Sequence, residues 1–428
     1  MKILLMGNGG REHALAWKIT QSPRAAQLFV APGNAGTRAL NIDIRADDTQ
    51  ALLRFAKEQH VDLVVVGPEA PLANGVVDKF QREGISIFGP TQAATQLESS
   101  KAFSKKLMKL HNVPTAAFET FDDANAAIDF LHAKPFASEG CVVKADGLAA
   151  GKGVFVCDDL VEAESALRRI LIEREFGESG SCVVVEERLS GSELSVLAFC
   201  DGKHVKLMPP ARDHKRVGDG DVGPNTGGMG AFAPVPQISN QMLEKIRREA
   251  FQPIIDAMRE QGEPYVGVLF AGLMLSDSAS QNDFHVLEFN CRFGDPETQV
   301  ILPLLESDLI EVMSACIDGK LDEIDLRWKP GVAATIVLAS GGYPGAYKTG
   351  VPIFGLDDAS PDILVFHAGT TLRDGAVVTN GGRVLNVASV GNDLGEALAR
   401  AYDGASKIHF DGAHYRKDIG RLQEVVSA

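Results

Sequence analysis

The sequence predicts a multidomain protein of α/β and α+β class: an N-terminal doubly wound parallel sheet, a central region of strand pairs, and a C-terminal α+β domain. Three observations carry that prediction. Short apolar, β-rich runs alternate with helical stretches from Met1 to about Pro90, the pattern of a parallel sheet with helices on both faces. Strand pairs joined by glycine turns follow, and after Trp328 a last unit begins with its own strands and helix. At 428 residues the chain is long enough for several cores, because domains usually run about 100 to 200 residues. The units are placed at 1–101, 102–326 and 327–428.

In the first unit, strands are expected at 3–6, 28–31, 61–66 and 85–88. They end in glycine loops, Gly7-Asn8-Gly9-Gly10, Pro32-Gly33-Asn34-Ala35-Gly36, Gly67-Pro68-Glu69 and Gly89-Pro90. Ligands of doubly wound sheets sit at such carboxyl ends. A helix at 101–111 stops before Pro114, and strands at 141–145 and 153–157, then 182–187 and 194–200, read as pairs. The stretch 211–236, rich in Gly, Asp and Pro, reads as a long loop of the kind that is usually functional or disordered. A strand at 285–289 runs straight into Asn290-Cys291-Arg292-Phe293-Gly294-Asp295-Pro296-Glu297. The last unit shows strands at 333–338, 364–367 and 383–389, a hairpin turn at Gly381-Gly382 and a helix at 394–408.

A formal net charge of -15 argues against a broad nucleic-acid surface, which needs clustered Lys and Arg. A small anionic substrate remains compatible if cations cluster locally. The six cysteines are scattered without a C-x-x-C pair or zinc-like His spacing, so they read as reduced thiols of a cytoplasmic protein. The apolar run of MKILLMGNGG is too short for a signal peptide or a membrane span and reads as a buried first strand.

Gly7-x-Gly9 after a first strand invites a dinucleotide site, but Glu12 stands where a third glycine belongs and the second strand ends without an acidic residue. A single phosphate suits Gly9, Gly10 and Arg11 better, with backbone donors and a guanidinium at a helix start. The bland alternative is a tight strand-to-helix turn with Arg11 on the surface.

The run 142–154 is not a Walker A loop, since only three residues separate Gly147 from Gly151 and Gly153 follows Lys152 where Ser or Thr would bind magnesium. Strands on both sides make it a glycine-rich hairpin that can fold over phosphates, with Lys144 pointing a cation at them. The alternative is a flexible turn beside a snorkelling edge lysine. Downstream, Glu186 to Leu189 could meet an adenine, and Glu193 could accept ribose hydroxyls, although either glutamate could be a solvated strand-end charge. Glu187 is read as such a charge. Glu288 and Asn290, two apart on a strand, share a face and suit a hard cation such as Mg²⁺. Arg292 continues that face.

At these residues the sequence resembles the ATP-grasp superfamily and, within it, the phosphoribosylamine-glycine ligases. The resemblance runs over nearly the whole chain, most specifically in GNGGREHA at 7–14, APGNAG at 31–36, VGPEAPL at 66–72, KADGLAAGKGV at 144–154, DHKRVG at 213–218, GPNTGGMGA at 223–231 and EFNCRFGDPET at 288–298. It implies an ATP-grasp core at 102–326 with a small lid domain near 122–190, whose flexible hairpin spans 146–153. It implies ATP held by Lys105, Lys144, Gly147, Gly151, Gly153, Glu186, Leu189 and Glu193, and Mg²⁺ or Mn²⁺ held by Glu288 and Asn290. Its implied substrates are glycine and phosphoribosylamine, met by Gly9, Gly10, Arg11, Glu69, Asp213, Lys215, Thr226, Gly227, Arg292, Gly294 and Asp295. Catalysis is then expected of Lys144, Arg292 and Asp213, through a glycyl phosphate. A surface-charge reading of Asp213-His214-Lys215-Arg216 stands beside that one. Many ATP-grasp proteins carry another metal-binding carboxylate on the preceding strand, where Ala271-Gly272-Leu273-Met274-Leu275 has none. The approach to the lysine strand, 134–140, is more polar than usual in the family. The expected assembly is a monomer or weak homodimer, a stand-alone enzyme without nucleic-acid or membrane partners.

Overall fold

The computed structural model describes residues 1–133, 140–149, 152–276 and 283–421. The first sheet is parallel, in the order Gln27–Pro32, Lys2–Gly7, Leu63–Val66, Ile87–Phe88. Alternate side chains of the central strand enter two cores: Ile3 and Leu5 pack with helix Gly10–Ile19, while Leu4 and Met6 pack with helices Thr49–Gln59 and Val76–Arg82. Burial on both faces explains why these strands read as unbroken apolar runs.

The central region carries two antiparallel sheets. One, in the order Val205–Leu207, Ser192–Asp201, Val266–Leu275, Phe284–Asn290, forms a floor. The other, in the order Phe118–Phe121, Val183–Glu187, Cys141–Ala145, Val154–Cys157, is backed by helices Ala124–Ala133 and Leu160–Leu167 and forms a lid. The connection into the lid is pinned to the floor, where Val286 N donates to Pro114 O at 2.7 Å and Thr115 Oγ1 donates to Val286 O at 2.6 Å. The hairpin base is pinned as well: Asp146 Oδ1 accepts from Ala102 N at 2.7 Å and from Ser100 Oγ at 3.0 Å, at the start of helix Lys101–Leu110.

Two expectations are corrected here. The stretch 211–236 is not an irregular loop: Arg212–Asp213 and Gly230–Ala233 are strands of the C-terminal sheet, whose order is Arg212–Asp213, Gly230–Ala233, Val332–Ala339, Arg383–Gly391, Leu364–His367. A further two-stranded ribbon pairs Arg216–Gly218 with Val222–Asn225. Gly-Ala-Phe-Ala has too little β-branched character to announce a strand, and its pairing partner lies about a hundred residues away at Ala333 to Ile336. Nor is Gly381-Gly382 a hairpin turn, since the strands on either side of it, Ala376–Thr379 and Arg383–Gly391, belong to different sheets. Gly381 instead allows a backbone crossing with Gly369, where an added Cβ would lie 2.9 Å from the Gly369 Cα. The tight turn is Asp374-Gly375, both at positive φ, joining Thr370–Arg373 to Ala376–Thr379.

The N-terminal and C-terminal units meet across a histidine pair. His367 N donates to His13 Nδ1 at 2.8 Å, and His13 sits edge-on to Phe366. Burial, then the neighbouring His367, pushes the pKa of His13 down to about 3; burial, then Arg38, pushes His367 down to about 4. Both rings are therefore neutral in the folded protein at pH values where a free imidazole protonates. Their contribution to stability is full above about pH 6.5 and is lost as pH falls toward those depressed values, at about 1.4 kcal/mol per histidine per pH unit. We expect Tm to fall between pH 6.5 and 5. His13→Gln, which keeps an acceptor for the His367 N–H, should flatten that fall; an unchanged pH profile of Tm in the variant would refute the assignment.

Candidate active site

Lid, floor and the N- and C-terminal units enclose a cleft of about 380 Å³. Seven cations line it (Arg11, Lys101, Lys105, Lys144, Lys215, Arg292, Arg383), against seven carboxylates (Glu69, Glu98, Glu193, Asp213, Glu288, Asp295, Glu297). In a chain of net charge -15, this gathers cations where a polyanion can be met.

Lys144 lies on an inner strand of the lid sheet, so the edge-residue alternative does not hold. Its ammonium and that of Lys105 converge on one buried carboxylate, Glu186: Lys105 Nζ is 2.5 Å from Oε2, and Lys144 is paired with Oε1. Burial opposes the charge on Glu186, but the two lysines outweigh it and hold its pKa low. At Lys105 burial wins and lowers the pKa to about 8. Lys105 also donates to Thr115 Oγ1 at 2.7 Å, and Lys144 to Leu287 O at 3.3 Å. Glu186, read as an adenine contact, thus spends its carboxylate beneath the lysines and does not line the cleft. Leu189 is half-buried in the connector after that strand.

Glu288 and Asn290 leave the same face of Phe284–Asn290 and line the cleft. Glu288 makes no hydrogen bond or ion pair among the described residues, although it is held ionised: burial opposes the charge, and Lys215, Lys144, Lys101 and Arg292 together outweigh burial. A free ionised carboxylate beside the Asn290 oxygen is the donor set a hard divalent cation takes. The residue paired with Glu288 across the sheet is Gly272, in the stretch 271–275 that carries no carboxylate.

Next to this pair the guanidinium of Arg292 reaches four groups. Its Nη2 donates to Asn290 Oδ1 at 3.1 Å and lies 3.4 Å from Glu98; its Nε lies 3.5 Å from Glu69, and its Nη1 donates to the Phe293 carbonyl at 3.4 Å. Burial lowers its pKa and is overcome by Glu98 and Glu69, so the guanidinium stays charged. Glu69 lies 4.0 Å from Arg11, which donates to Glu12 at 2.6 Å and to Phe293 O at 3.1 Å and is buried, not on the surface.

Opposite stands Asp213, half-buried and lining the cleft, so the surface-charge reading of Asp213-His214-Lys215-Arg216 fails at its first residue. Its Oδ1 is out of solvent without a hydrogen-bond partner. Burial, then the charge of Glu297, raises its pKa well above the usual carboxylate range. Gly228 lets it approach: an added Cβ there would lie 2.5 Å from Asp213 Oδ1. Lys215 pairs with Glu193 at 2.6 Å. Thr226 Oγ1 donates to Lys215 O at 2.8 Å, and Gly227 N donates to the Tyr343 hydroxyl at 3.0 Å, fixing the turn above the acid.

Of the residues predicted from sequence, the cleft thus gathers Arg11, Glu69, Lys105, Lys144, Gly153, Glu193, Asp213, Lys215, Thr226, Gly227, Glu288, Asn290, Arg292 and Asp295. Gly9, Gly10, Gly147, Glu186, Leu189 and Gly294 lie off its lining, and Gly151 falls outside the described residues. The reading of Gly9 as a free backbone donor is corrected, because its N–H donates to Glu12 Oε2 at 2.6 Å at the start of the helix. Gly10 is packed under Gln299 and Asn386. Gly147 N donates to Ser179 O at 3.0 Å. Sequence reading missed Lys101, Glu98 and Arg383 and gave no role to Glu297. Arg383 Nη1 donates to Asp295 O at 2.8 Å, lies 3.2 Å from Asp295 Oδ1 and reaches the Gly227 carbonyl; Glu297 accepts from Ser195 Oγ at 2.8 Å. The Glu98 signal, an acid three residues before a lysine-rich helix, is too common to single out.

A lid sheet with an inward lysine, closing over a floor strand that ends in a carboxylate and an amide, defines an ATP-grasp protein. The chain matches the phosphoribosylglycinamide synthetase N domain at 1–98, its ATP-grasp (A) domain at 99–298 and its C domain at 333–422. It belongs to the phosphoribosylglycinamide synthetase family. It is 48% identical over 98% of its length to a phosphoribosylamine–glycine ligase of Vibrio vulnificus, of which it covers 98%. It is 52% identical to the chicken (Gallus gallus) trifunctional purine biosynthetic protein adenosine-3 over 98% of this chain, but spans only 42% of that longer protein. The solved phosphoribosylamine–glycine ligase of Thermotoga maritima superposes with a TM-score of 0.85 at 34% identity, covering 98% of this chain and 100% of that one.

Proposed function

We propose that the chain ligates glycine to 5-phosphoribosylamine at the expense of ATP, through glycyl phosphate, giving glycinamide ribonucleotide, ADP and phosphate in purine biosynthesis. The observation that carries the reading is the convergence in one cleft of the paired lysines, the unpaired ionised Glu288 and Asp213, whose inner oxygen is out of solvent without a hydrogen-bond partner. Lys105 and Lys144 meet the ATP phosphates, with the ribose hydroxyls at Glu193 and the adenine near Leu189. Glu288 and Asn290 would hold a divalent cation, Mg²⁺ or Mn²⁺, which would supply charge neutralisation for the transferring phosphoryl group. Arg292 lies beside the metal pair, where it balances charge that develops as the glycine carboxylate takes the γ-phosphoryl group. Asp213 accepts from the glycine ammonium, which draws the buried carboxyl into its ionised form. The phosphoribosylamine nitrogen then bonds to the activated carbonyl carbon, and the bond to phosphate breaks. The lid excludes water from the labile acyl phosphate.

Six free thiols, five of them buried, suit a reducing cytoplasm, and we take the protein to be a monomer or weak homodimer. No described helix is long and apolar enough to cross a membrane. ADP release measured with glycine alone, phosphoribosylamine alone and both together tests the reading. Rapid release is expected only with both, and background release in all three rejects it.

A further inference from the structure

A ribbon of two strands is by itself at best marginally stable in water, and most of the ribbon at 216–225 is exposed. Both of its ends nevertheless build one wall of the cleft: Asp213 and Lys215 lead into it, and Thr226 and Gly227 follow it. The order of that wall therefore depends on what holds the ribbon.

The segment 414–420, beyond the last helix, holds it next to the cleft. Side chains alternate along a strand, so His214, between Asp213 and Lys215, turns away from the cleft. It is buried near Phe232, and its Nε2 accepts from Gly420 N at 3.2 Å. Burial, then the charge of Arg416, lowers the pKa of His214 to about 4, so the ring is neutral and can accept. On the other side of Lys215, Arg216 O accepts from Arg416 Nη1 at 3.1 Å. Both residues that flank Lys215 are thus bonded to the same short segment.

Arg416 is buried and spends its planar fork on this contact. Its Nε and Nη2 donate to the two oxygens of Asp418, each at 2.7 Å, and its Nη1 also donates to Asp221 Oδ1 at 2.6 Å. Burial opposes the charge on Arg416 and is outweighed by Asp418 and Asp221. Burial opposes the charge on Asp418 as well, but Arg416 draws its pKa down to about 2. Asp418 Oδ2 further accepts from Gly220 N at 2.8 Å, and Asp219 Oδ1 accepts from Lys417 N at 2.7 Å. The segment is in turn tied to the C-terminal sheet and helix. Ala339 and His414 exchange backbone hydrogen bonds at 2.8 and 2.9 Å, and the Tyr402 hydroxyl donates to Arg416 O at 3.1 Å and accepts from Ile419 N at 3.0 Å.

We propose that the segment 414–420 is a strap that positions this wall of the cleft, with Arg416 as a positioning residue for the reaction. Arg416 does not line the cleft; it sets Lys215 and Asp213 through the backbone of the ribbon. The inference rests on the ligase reading above, in which Asp213 receives the glycine ammonium.

The test combines steady-state kinetics with hydrogen exchange in the wild type, Arg416→Met and Asp219→Ala. In Arg416→Met the KM for glycine should rise about tenfold with a lower kcat, while the KM for ATP stays within about twofold. Lys105, Lys144 and Glu288 belong to the helix, lid and floor, not to the ribbon, so ATP should be met as before. Amide exchange at 214–226 should quicken about tenfold or more, with Ser192–Asp201 and Val266–Leu275 unchanged. Asp219 is exposed and its loss removes only the contact to Lys417, so Asp219→Ala should fold and show a smaller shift of the same kind. It decides alone if Arg416→Met does not fold. A fall in kcat with every KM unchanged, the mark of a smaller folded fraction, overturns the strap, as do equal rises in the KM values for glycine and ATP. If the wild type releases no ADP with both substrates, the ligase reading fails instead. Exchange then still decides the strap, which is overturned by equal rates at 214–226 in wild type and variants.

Discussion

Glu288→Gln should lower kcat by about a thousandfold while leaving the secondary structure unchanged. The carboxylate stands free in the cleft, kept ionised by Lys215, Lys144, Lys101 and Arg292 against the cost of its burial. Glutamine keeps the shape and one oxygen but removes the charge, which is what a divalent cation needs from its protein ligands. Losing about 4 kcal/mol of charge stabilisation in the transition state corresponds to about three decades in rate. Kinetics across a metal titration and circular dichroism together check this. Turnover within tenfold of wild type at saturating metal would remove Glu288 from the metal site.

Glu186→Gln should act first on the protein without nucleotide. Glu186 compensates Lys105 and Lys144 in a buried setting, and without its charge the two ammonium groups face each other without the carboxylate that both contact. Removing one partner of a buried ion pair costs about 3–5 kcal/mol, and we expect Tm to fall accordingly. On the proposed reading the triphosphate of ATP brings negative charge to the same lysines, so added ATP should raise Tm by more in the variant than in the wild type. Thermal melts of both proteins with and without nucleotide provide the measurement. Equal ATP shifts would mean that Glu186 and the phosphates do not share the lysines.

The parts of the site that the sequence made legible are those whose chemistry is local. The period of two at Glu288 and Asn290, the lysine inside an apolar strand at Lys144 and the glycine loops after parallel strands each follow from spacing over a few residues. Glu12 was read as an obstacle to a dinucleotide, and the structure gives the reason: its carboxylate caps Gly9, and an added Cβ on Gly67 would lie 2.1 Å from it. What escaped depends on pairing between distant segments. Asp213 is a strand residue only because Ala231 lies beside it and Thr335 beyond. Arg383 enters the cleft only because the sheet that carries it packs over the turn at Gly227. Nothing local marks Arg383 as a site residue, or marks Asp213, which the resemblance had singled out in a loop, as part of a strand.

That interleaved sheet also orders events in time. Gly230–Ala233 has one neighbour, Arg212–Asp213, until Val332–Ala339 has been made, and Val332–Ala339 in turn waits for Arg383–Gly391. A ribosome that has finished the lid and floor has therefore not yet made the sheet against which Asp213 and Arg383 are set. The Asp213 and Arg383 end of the cleft is thus completed after its lysine end during synthesis, and a nascent chain stopped before Arg383 carries Lys105 and Lys144 but no completed cleft.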